Sequence, residues 1–153
     1  MSIEDDIAFF ERVPTLGLLG RAALRILAIG AESRYVHGGE ILFNAGESAD
    51  AGFVVQEGSF SLAPPQTEGK GVKVGPGTLL GELAMLTDTT RPVTATALEP
   101  STVLRIPRNL FLKMLEGYPD AASRLRDQLA TRIDQSASEI YNVRRVLDAG
   151  DRQ

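Results

Sequence analysis

Residues 81–94 read GELAMLTDTTRPVT, and the fold assignment rests on this segment more than on any other. A strand is expected to end at Gly81, and Glu82–Leu86 can form one short helical turn. The first N–H groups of such a turn lack intrahelical partners and favour an anion. Arg91 can hold two phosphate oxygens at once, and Glu82 can accept a hydrogen bond from a neighbouring sugar hydroxyl. In the alternative interpretation, Gly81 ends a strand, Glu82 caps a turn and Arg91 is a solvated surface charge.

The segments on either side indicate a β domain flanked by helices. Residues 34–107 contain short β-like runs broken by glycine turns, which favours a sandwich or barrel. The runs are 40–43, 53–56, 60–62 and 72–74, followed by two more within 93–106 on either side of residues 98–101, with a solvated hairpin tip at 64–71. Residues 1–33 and 108–150 show apolar positions at helical spacing, interrupted in the first case by Pro14. We predict one α+β (mainly β) domain, a β sandwich or barrel between N-terminal helices and a long C-terminal helix.

Composition excludes several functional classes. The 153 residues contain no cysteine, which removes disulfides, thiolate nucleophiles and zinc ribbons and fits a reducing cytoplasm. The formal net charge of −4 disfavours a broad basic surface for nucleic acid or anionic lipid. The acidic N-terminus and the absence of a long apolar run predict neither a targeting segment nor a membrane span.

The sequence offers no catalytic constellation. The single histidine, His37, lies at an expected strand entry, and we interpret it as a surface or turn residue because a metal site needs several converging ligands. No Ser–His or Cys–His pair supports nucleophilic catalysis. We therefore expect no catalytic residue, no metal, no cofactor and no enzymatic activity.

The chain resembles the cyclic-nucleotide-binding domain family through most of its length. Three segments look like the family's opening strands with their glycines: 39–43, 46–47 and 54–58. Residues 81–97 look like its phosphate-binding cassette, in which Glu82, Ala84 and Arg91 keep the family's spacing. The resemblance implies that the β domain is a double-stranded β-helix jelly roll. It also implies that Glu82 binds the ribose 2′-hydroxyl and that Arg91 neutralises the cyclic phosphate. The other ligand-binding residues that it implies are Gly81, Leu83, Ala84, Pro92, Val93 and Thr94.

Pro92 departs from the family pattern, which has Ala, Ser or Thr directly after the arginine. Proline has no backbone N–H, so one hydrogen bond to the phosphate is lost. Because a hydrogen bond to a charged group contributes roughly 1.5–3 kcal/mol, this loss weakens binding by about tenfold to a hundredfold unless Thr94 compensates. Pro92 also lacks the hydroxyl that family members preferring cGMP tend to use, which favours cAMP. Leu80 stands where phenylalanine is common in the family, and this substitution keeps the position apolar.

The last helix carries an apolar seam that suits dimerisation. Its positions, spaced 4, 3, 4, 3 and 4, are Leu129, Ile133, Ser136, Ile140, Val143 and Leu147. This spacing favours a parallel homodimer, although a helix laid on its own β barrel also needs a single apolar stripe. Ser136 falls where a dimeric family member offers a hydroxyl to the nucleotide base. It either contacts adenine or only sets the helix register.

The leading functional hypothesis is a cytoplasmic sensor module that binds cAMP or cGMP and signals to an unknown effector protein through its C-terminal helix. The family's transcription factors continue into a helix-turn-helix, whereas only residues 148–153 follow the seam here, so direct DNA binding is not expected. The second hypothesis is a ligand-free dimeric scaffold of the same fold, with Pro92 as the mark of the lost ligand. A cupin-type enzyme is disfavoured because it needs a cluster of metal-binding histidines.

Overall fold

The computed structural model describes residues 2–65 and 71–135. The helices are α1 (Ile3–Glu11), α2 (Arg21–Gly30), α3 (Arg108–Gly117) and α4 (Pro119–Gln135), and 3₁₀ turns occupy Leu16–Leu18 and Glu82–Met85. The strands are β1 (Glu32–Val36), β2 (Ile41–Phe43), β3 (Ser48–Ala49), β4 (Ala51–Glu57), β5 (Phe60–Ala63), β6 (Val72–Val74), β7 (Leu79–Leu80), β8 (Thr89–Thr90), β9 (Thr94–Ala97) and β10 (Ser101–Pro107).

Eight of these strands form two four-stranded antiparallel sheets. The strand orders are β1-β10-β4-β7 and β2-β9-β5-β6, while β3 and β8 pair separately as a short ribbon. Helices precede and follow the sheets along the chain. The predicted jelly roll with flanking helices is confirmed.

The strand pair β4–β10 is buried on both faces. Val55 and Val103 pair across it and belong to the core between the two sheets. Val54 and Leu104, one residue along, belong to the second core, under the helices. Because successive side chains of a strand point to opposite faces, a strand covered on both sides has a continuous apolar run instead of an alternation. This burial explains the apolar stretch within Ala51–Glu57.

The N-terminal segment is helical as predicted, but it is divided into three pieces. Ile7 and Phe10 share the buried face of α1. The five apolar positions predicted after Pro14 are all buried, namely Leu16, Leu19, Ala23, Leu24 and Leu27. They do not belong to one helix, because Gly20 separates the first 3₁₀ turn from α2. The first strand begins at Glu32, two residues before the boundary expected from the sequence.

The start of α4 packs against the body of the same chain. Leu125 is buried, and Leu129 packs half-buried against the core under the helices. Arg124 donates hydrogen bonds from Nε and Nη2 to the carbonyl oxygens of Leu18 and Leu19, at 2.6 and 2.9 Å. At the start of α4, the apolar side chains therefore pack within the same chain and do not form a dimer interface. The seam positions Ser136, Ile140, Val143 and Leu147 lie outside the described residues, as does most of the predicted hairpin tip.

We expect Gly58→Ala to destabilise the protein by about 2–5 kcal/mol, because two penalties combine at this position. Gly58 has a φ of +89°, and a Cβ there would lie 2.7 Å from Cα of Ser101. Gly39 is the matched control, because its φ is +86° and nothing lies within 4 Å of an added Cβ. Gly39→Ala should cost only the left-handed backbone penalty of about 1–2 kcal/mol. Urea unfolding of both variants measures the difference, and equal losses would contradict the packing argument.

Candidate functional site

A cavity of about 390 Å³ opens beside the 3₁₀ turn Glu82–Met85. Its lining comes from both large sheets, the β3–β8 ribbon and the turn itself: Phe43, Ala49, Leu62, Thr78, Leu79, Leu80, Gly81, Glu82, Leu83, Ala84, Thr89, Thr90, Arg91, Pro92 and Val93. Seven of the nine residues predicted to bind a ligand are among them. The fold therefore brings most of the predicted site into one cavity.

Gly81 makes the close packing of this site possible. It precedes the 3₁₀ turn with φ +75° and ψ +39°, a left-handed conformation that non-glycine residues rarely adopt. A Cβ at this position would overlap Nη1 of Arg91 and would lie 3.4 Å from the carbonyl oxygen of Ala51. The predicted helical turn is present, and the N–H of Ala84 donates to the carbonyl oxygen of Gly81 at 3.0 Å. Both the backbone conformation and the approaching guanidinium require glycine here.

Arg91 is buried, with 5% of its surface exposed. Its Nη2 donates to the carbonyl oxygen of Ala51 at 2.8 Å. The guanidinium carbon lies 4.3 Å from the ring centroid of Phe43 and 5.4 Å from that of Phe53, within cation–π distance of both. The alternative interpretation of Arg91 as a solvated surface charge is therefore wrong.

One donor of this guanidinium is left for a ligand. Nη1 of Arg91 is buried and has no hydrogen-bond acceptor within the described part of the chain. Burial lowers the pKa of Arg91 from its ordinary value, and the nearby carboxylates of Asp50 and Glu47 act in the opposite direction. Arginine nevertheless stays protonated at neutral pH. A buried cation with an unused N–H beside a cavity has the chemistry that suits an anion.

Glu82 places a carboxylate at the edge of the same cavity. It is the first residue of the turn and is half-buried. It also lines a second cavity of about 320 Å³, which it shares with Pro14, Thr15, Gly77, Thr78 and Leu79. A carboxylate only accepts hydrogen bonds and repels an anion. Together with Arg91, it therefore suits a ligand that carries a neutral hydroxyl close to a negative group.

Two predicted site residues are not part of the lining. Thr94 begins β9, and its Oγ1 accepts a hydrogen bond from the N–H of Ala45 at 2.9 Å. This bond ties β9 to the turn after β2. Ser136 lies outside the described residues. Pro92 does line the cavity and is exposed.

Sequence reasoning missed two groups of lining residues. Phe43 and Leu62 come from strands β2 and β5, which are distant from the cassette along the chain. Thr89 and Thr90 lie within the cassette and form the two-residue strand β8. The alternation of Phe60 and Leu62 indicates a strand but does not say which cavity its residues reach. Strand pairing decides that, and pairing between distant segments has no local sequence signal.

The remaining predictions about the surface concern His37, metals and membranes. The side chain of His37 is 72% exposed, and its Nδ1 lies 3.5 Å from the carboxylate of Glu40. Residues 2–65 and 71–135 contain no group of three or more His, Cys, Asp or Glu side chains placed to hold a metal ion. In the same ranges, no helix has the length and apolar character needed to cross a membrane.

Comparison with known proteins gives a family match and clear structural likenesses. Residues 33–118 match the sequence profile of the family described as cyclic nucleotide-binding domain. A cyclic nucleotide-binding-like protein from Brucella abortus is 37% identical, with a TM-score of 0.66 over 73% of this chain and 98% of its own. The N-terminal domain of a transcriptional regulator from Streptomyces coelicolor A3(2) is 25% identical, with a TM-score of 0.78 over 86% and 94% of the two chains.

Two kinds of longer protein contain a similar segment. The cyclic nucleotide-gated potassium channel mll3241 of Mesorhizobium japonicum is 30% identical over 82% of this chain, which corresponds to 34% of the channel. Lysophospholipase NTE1 of Pyricularia oryzae is 31% identical over 64% of this chain and 7% of the enzyme. The chain thus spans only a small part of the length of these relatives.

The profile match covers more than half of the sequence and includes both the central strands and the cavity built around Arg91. This chain belongs to the cyclic nucleotide-binding domain family.

Proposed function

We propose that this chain is a regulatory sensor module that binds a cyclic nucleotide in the cavity beside Arg91, with cAMP preferred over cGMP. The observation that carries the proposal is the buried guanidinium, whose Nη1 has no acceptor in the described ranges and lies against Gly81. An unsatisfied buried donor costs about 1–3 kcal/mol, and more when it is charged. A phosphate oxygen in the cavity would remove this cost, so the free protein is prepared for an anionic ligand.

The cavity walls fit the remaining parts of a cyclic nucleotide. Glu82 accepts the ribose 2′-hydroxyl, while the backbone of Gly81, Leu83 and Ala84 surrounds the sugar and phosphate. The apolar side chains of Leu62 and Val93 offer contact surface for a base. A volume of about 390 Å³ lies within the usual range of small-molecule sites. Size, charge and hydrogen-bonding capacity are therefore mutually consistent with this ligand class.

Pro92 supports the preference for cAMP. It lines the cavity but has neither a backbone N–H nor a hydroxyl to offer to a ligand. Guanine therefore cannot be recognised through a side-chain hydroxyl at this position. Adenine needs only an apolar surface and contacts from elsewhere.

Signal output and cellular context form the rest of the proposal. The sensor is cytoplasmic, has no catalytic activity of its own, and transmits the ligand state through its C-terminal helices to an effector protein. The predicted seam comprises Leu129, Ile133, Ile140, Val143 and Leu147. Because Leu129 packs on the body of its own chain, homodimerisation would use the four positions that follow it.

Pro92 also favours a second candidate function. With one fewer phosphate donor, the same fold can serve as an interaction scaffold that no longer binds a nucleotide. The two functions differ in one measurable property, the affinity of the purified protein for cAMP and cGMP.

We expect Arg91→Met to weaken nucleotide binding strongly while leaving the fold intact. The hydrogen bond from Nη1 to a phosphate oxygen contributes roughly 1.5–3 kcal/mol, so the affinity for cAMP should fall by about tenfold to a hundredfold or more. Without ligand, the unfolding free energy should stay unchanged or rise by up to about 2 kcal/mol, because the variant no longer buries an incompletely paired charge. Calorimetric titration measures the first quantity and urea unfolding the second. Undiminished affinity would exclude Arg91 as the phosphate ligand, and failure of the wild type to bind either nucleotide would favour the scaffold.

We expect Pro92→Ala to tighten cAMP binding by about tenfold or more, because it restores a backbone N–H beside Arg91. Pro100→Ala is the matched control, since Pro100 is also exposed but lies in the turn before β10 and does not line the cavity. The control should leave the affinity unchanged. Equal affinities of Pro92→Ala and the wild type in calorimetric titration would show that this N–H does not reach the phosphate.

A further inference from the structure

The outer edge of strand β1 (Glu32–Val36) has no neighbouring strand within residues 2–65 and 71–135. In its sheet, β1 stands at one end of the order β1-β10-β4-β7, so only the edge that faces β10 is paired. The first four residues of β1 are all exposed. An unpaired strand edge presents a row of backbone N–H and C=O groups that can pair with another strand. This edge is therefore a surface on which an extended segment of a second chain can dock.

The charges on this edge are complementary to a second copy of the same strand. Glu32 and Arg34 are two residues apart, so their side chains lie on the same face of the sheet. When two copies pair antiparallel with Ser33 opposite the partner's Ser33, Glu32 of each copy lies opposite Arg34 of the other. Two pairs of opposite charge then flank the central residue, and both stabilise the pairing. A symmetric pairing centred on Arg34 would instead place two like charges opposite each other.

Both charged side chains are available for such pairs. Arg34 is exposed and makes no ion pair or side-chain hydrogen bond with a residue of the described ranges. Glu32 pairs through Oε1 with Nη1 of Arg105 at 3.0 Å, yet its side chain is 61% exposed. A carboxylate offers about four acceptor positions on its two oxygens. Glu32 can therefore hold Arg105 of its own chain and the partner's Arg34 at the same time.

The other outer strands of the two large sheets lack this self-complementarity. β6 (Val72–Val74) ends the second sheet, and symmetric pairing about its centre would place Lys73 opposite a second Lys73. β2 (Ile41–Phe43), at the opposite end of that sheet, has no charged residue, and β7 (Leu79–Leu80) has only two residues. Charges on an edge strand usually oppose pairing between chains. On β1, the alternation of sign favours pairing with an identical strand.

We propose that β1 is a homodimer interface in which two copies pair antiparallel along their β1 edges, with the two-fold axis at Ser33. The ladder covers residues 31–35 and is short, so the association is weak and depends on protein concentration. It is separate from the predicted seam beyond Leu129. Two different two-fold contacts on one chain build assemblies larger than a dimer. The pairing needs no nucleotide, so it does not depend on the proposed function.

Cross-linking through a single introduced thiol tests the register. The sequence contains no cysteine, so no other thiol contributes a signal. In the proposed register, Ser33→Cys lies opposite its own copy, whereas Tyr35→Cys, the exposed control on the same strand, lies about 13 Å along the strand from its copy. Because a disulfide needs a Cα separation of roughly 4.4–6.8 Å, Ser33→Cys should cross-link at least about tenfold faster than Tyr35→Cys under mild oxidation. Equal rates, or faster cross-linking at Tyr35, would overturn the proposal.

Charge reversal tests the complementarity. In the Ser33→Cys background, Arg34→Glu places like negative charges opposite each other at both flanking pairs, and Glu32→Arg places like positive charges there. Each variant alone should cross-link at least about fivefold more slowly. In an equal mixture of the two variants, opposite charges face each other again, so the mixed disulfide dimer should exceed the sum of the two homodimers at least about fivefold. Mass spectrometry separates the three dimers, and the equal shares that random pairing gives would overturn the proposal.

Sedimentation equilibrium supplies a second readout with chains that keep Ser33. The average mass at high protein concentration should fall in Arg34→Glu and in Glu32→Arg, and should recover when the two are mixed. Because Glu32→Arg also removes the ion pair with Arg105, Arg105→Gln measures that loss alone and should leave the average mass unchanged. Raising the salt concentration from about 0.05 to 1 M should lower the mass of the wild type, because exposed ion pairs are screened. The seam is identical in all these chains, so an unchanged mass in both reversal variants would overturn the proposal.

Discussion

The burial of the Arg91 guanidinium is the constraint on which the site depends. Moving a guanidinium out of water costs several kcal/mol unless its surroundings compensate. Here the compensation is partial: one carbonyl oxygen at 2.8 Å and the faces of Phe43 and Phe53. Each cation–π contact contributes about 0.5–2 kcal/mol, and Nη1 remains without an acceptor in the part of the chain that the structure describes. The protein therefore holds an incompletely satisfied charge in a fixed place, which favours function over stability.

The Arg91 guanidinium determines which residue types fit at several neighbouring positions. Phe43 and Phe53 stack on one another with their centroids 5.9 Å apart, and they come from the two different sheets of the jelly roll. Gly81 must be glycine because Nη1 occupies the space of a side chain. The cavity consequently forms only when the sheets have closed on each other, so the site is a product of the complete fold and not of its cassette alone.

The sequence predicts the fold well because its signals are local. Short apolar runs between glycine turns, together with helical spacing at both ends, are sufficient to predict a β sandwich or barrel with flanking helices, and the resemblance of the cassette specifies the jelly roll. The spacing of Glu82 and Arg91 likewise predicts a site within one segment. What the sequence does not show is long-range pairing. The burial of Arg91, the contribution of Leu62 and the contact of Thr94 with Ala45 all depend on which strands become neighbours.

The β3–β8 ribbon shows why this missing information matters for function. Two-residue strands carry no periodicity, so neither Ser48–Ala49 nor Thr89–Thr90 can be recognised as a strand from sequence. Yet Thr89–Thr90 lies inside the cassette, and its pairing ties Ala49 to the site. On the other side of Asp50, β4 is part of the central sheet and is fixed by pairing with β10. Asp50 thus marks the boundary between a two-residue ribbon paired with the cassette and a sheet that is packed on both faces.

A packed sheet yields little, because side chains buried on both sides resist displacement. A ribbon held by one two-residue pairing resists far less. The parts of the cavity that can adjust to a ligand are therefore the ribbon and the 3₁₀ turn, and not β4. Both of these parts contact the start of α3, because the carbonyl groups of Ala49 and Ala84 accept hydrogen bonds from Nη1 of Arg108, at 3.1 and 3.3 Å. The Arg91 guanidinium is instead bonded to Ala51 in β4, so the central sheet fixes the charge around which the rest of the cavity can adjust.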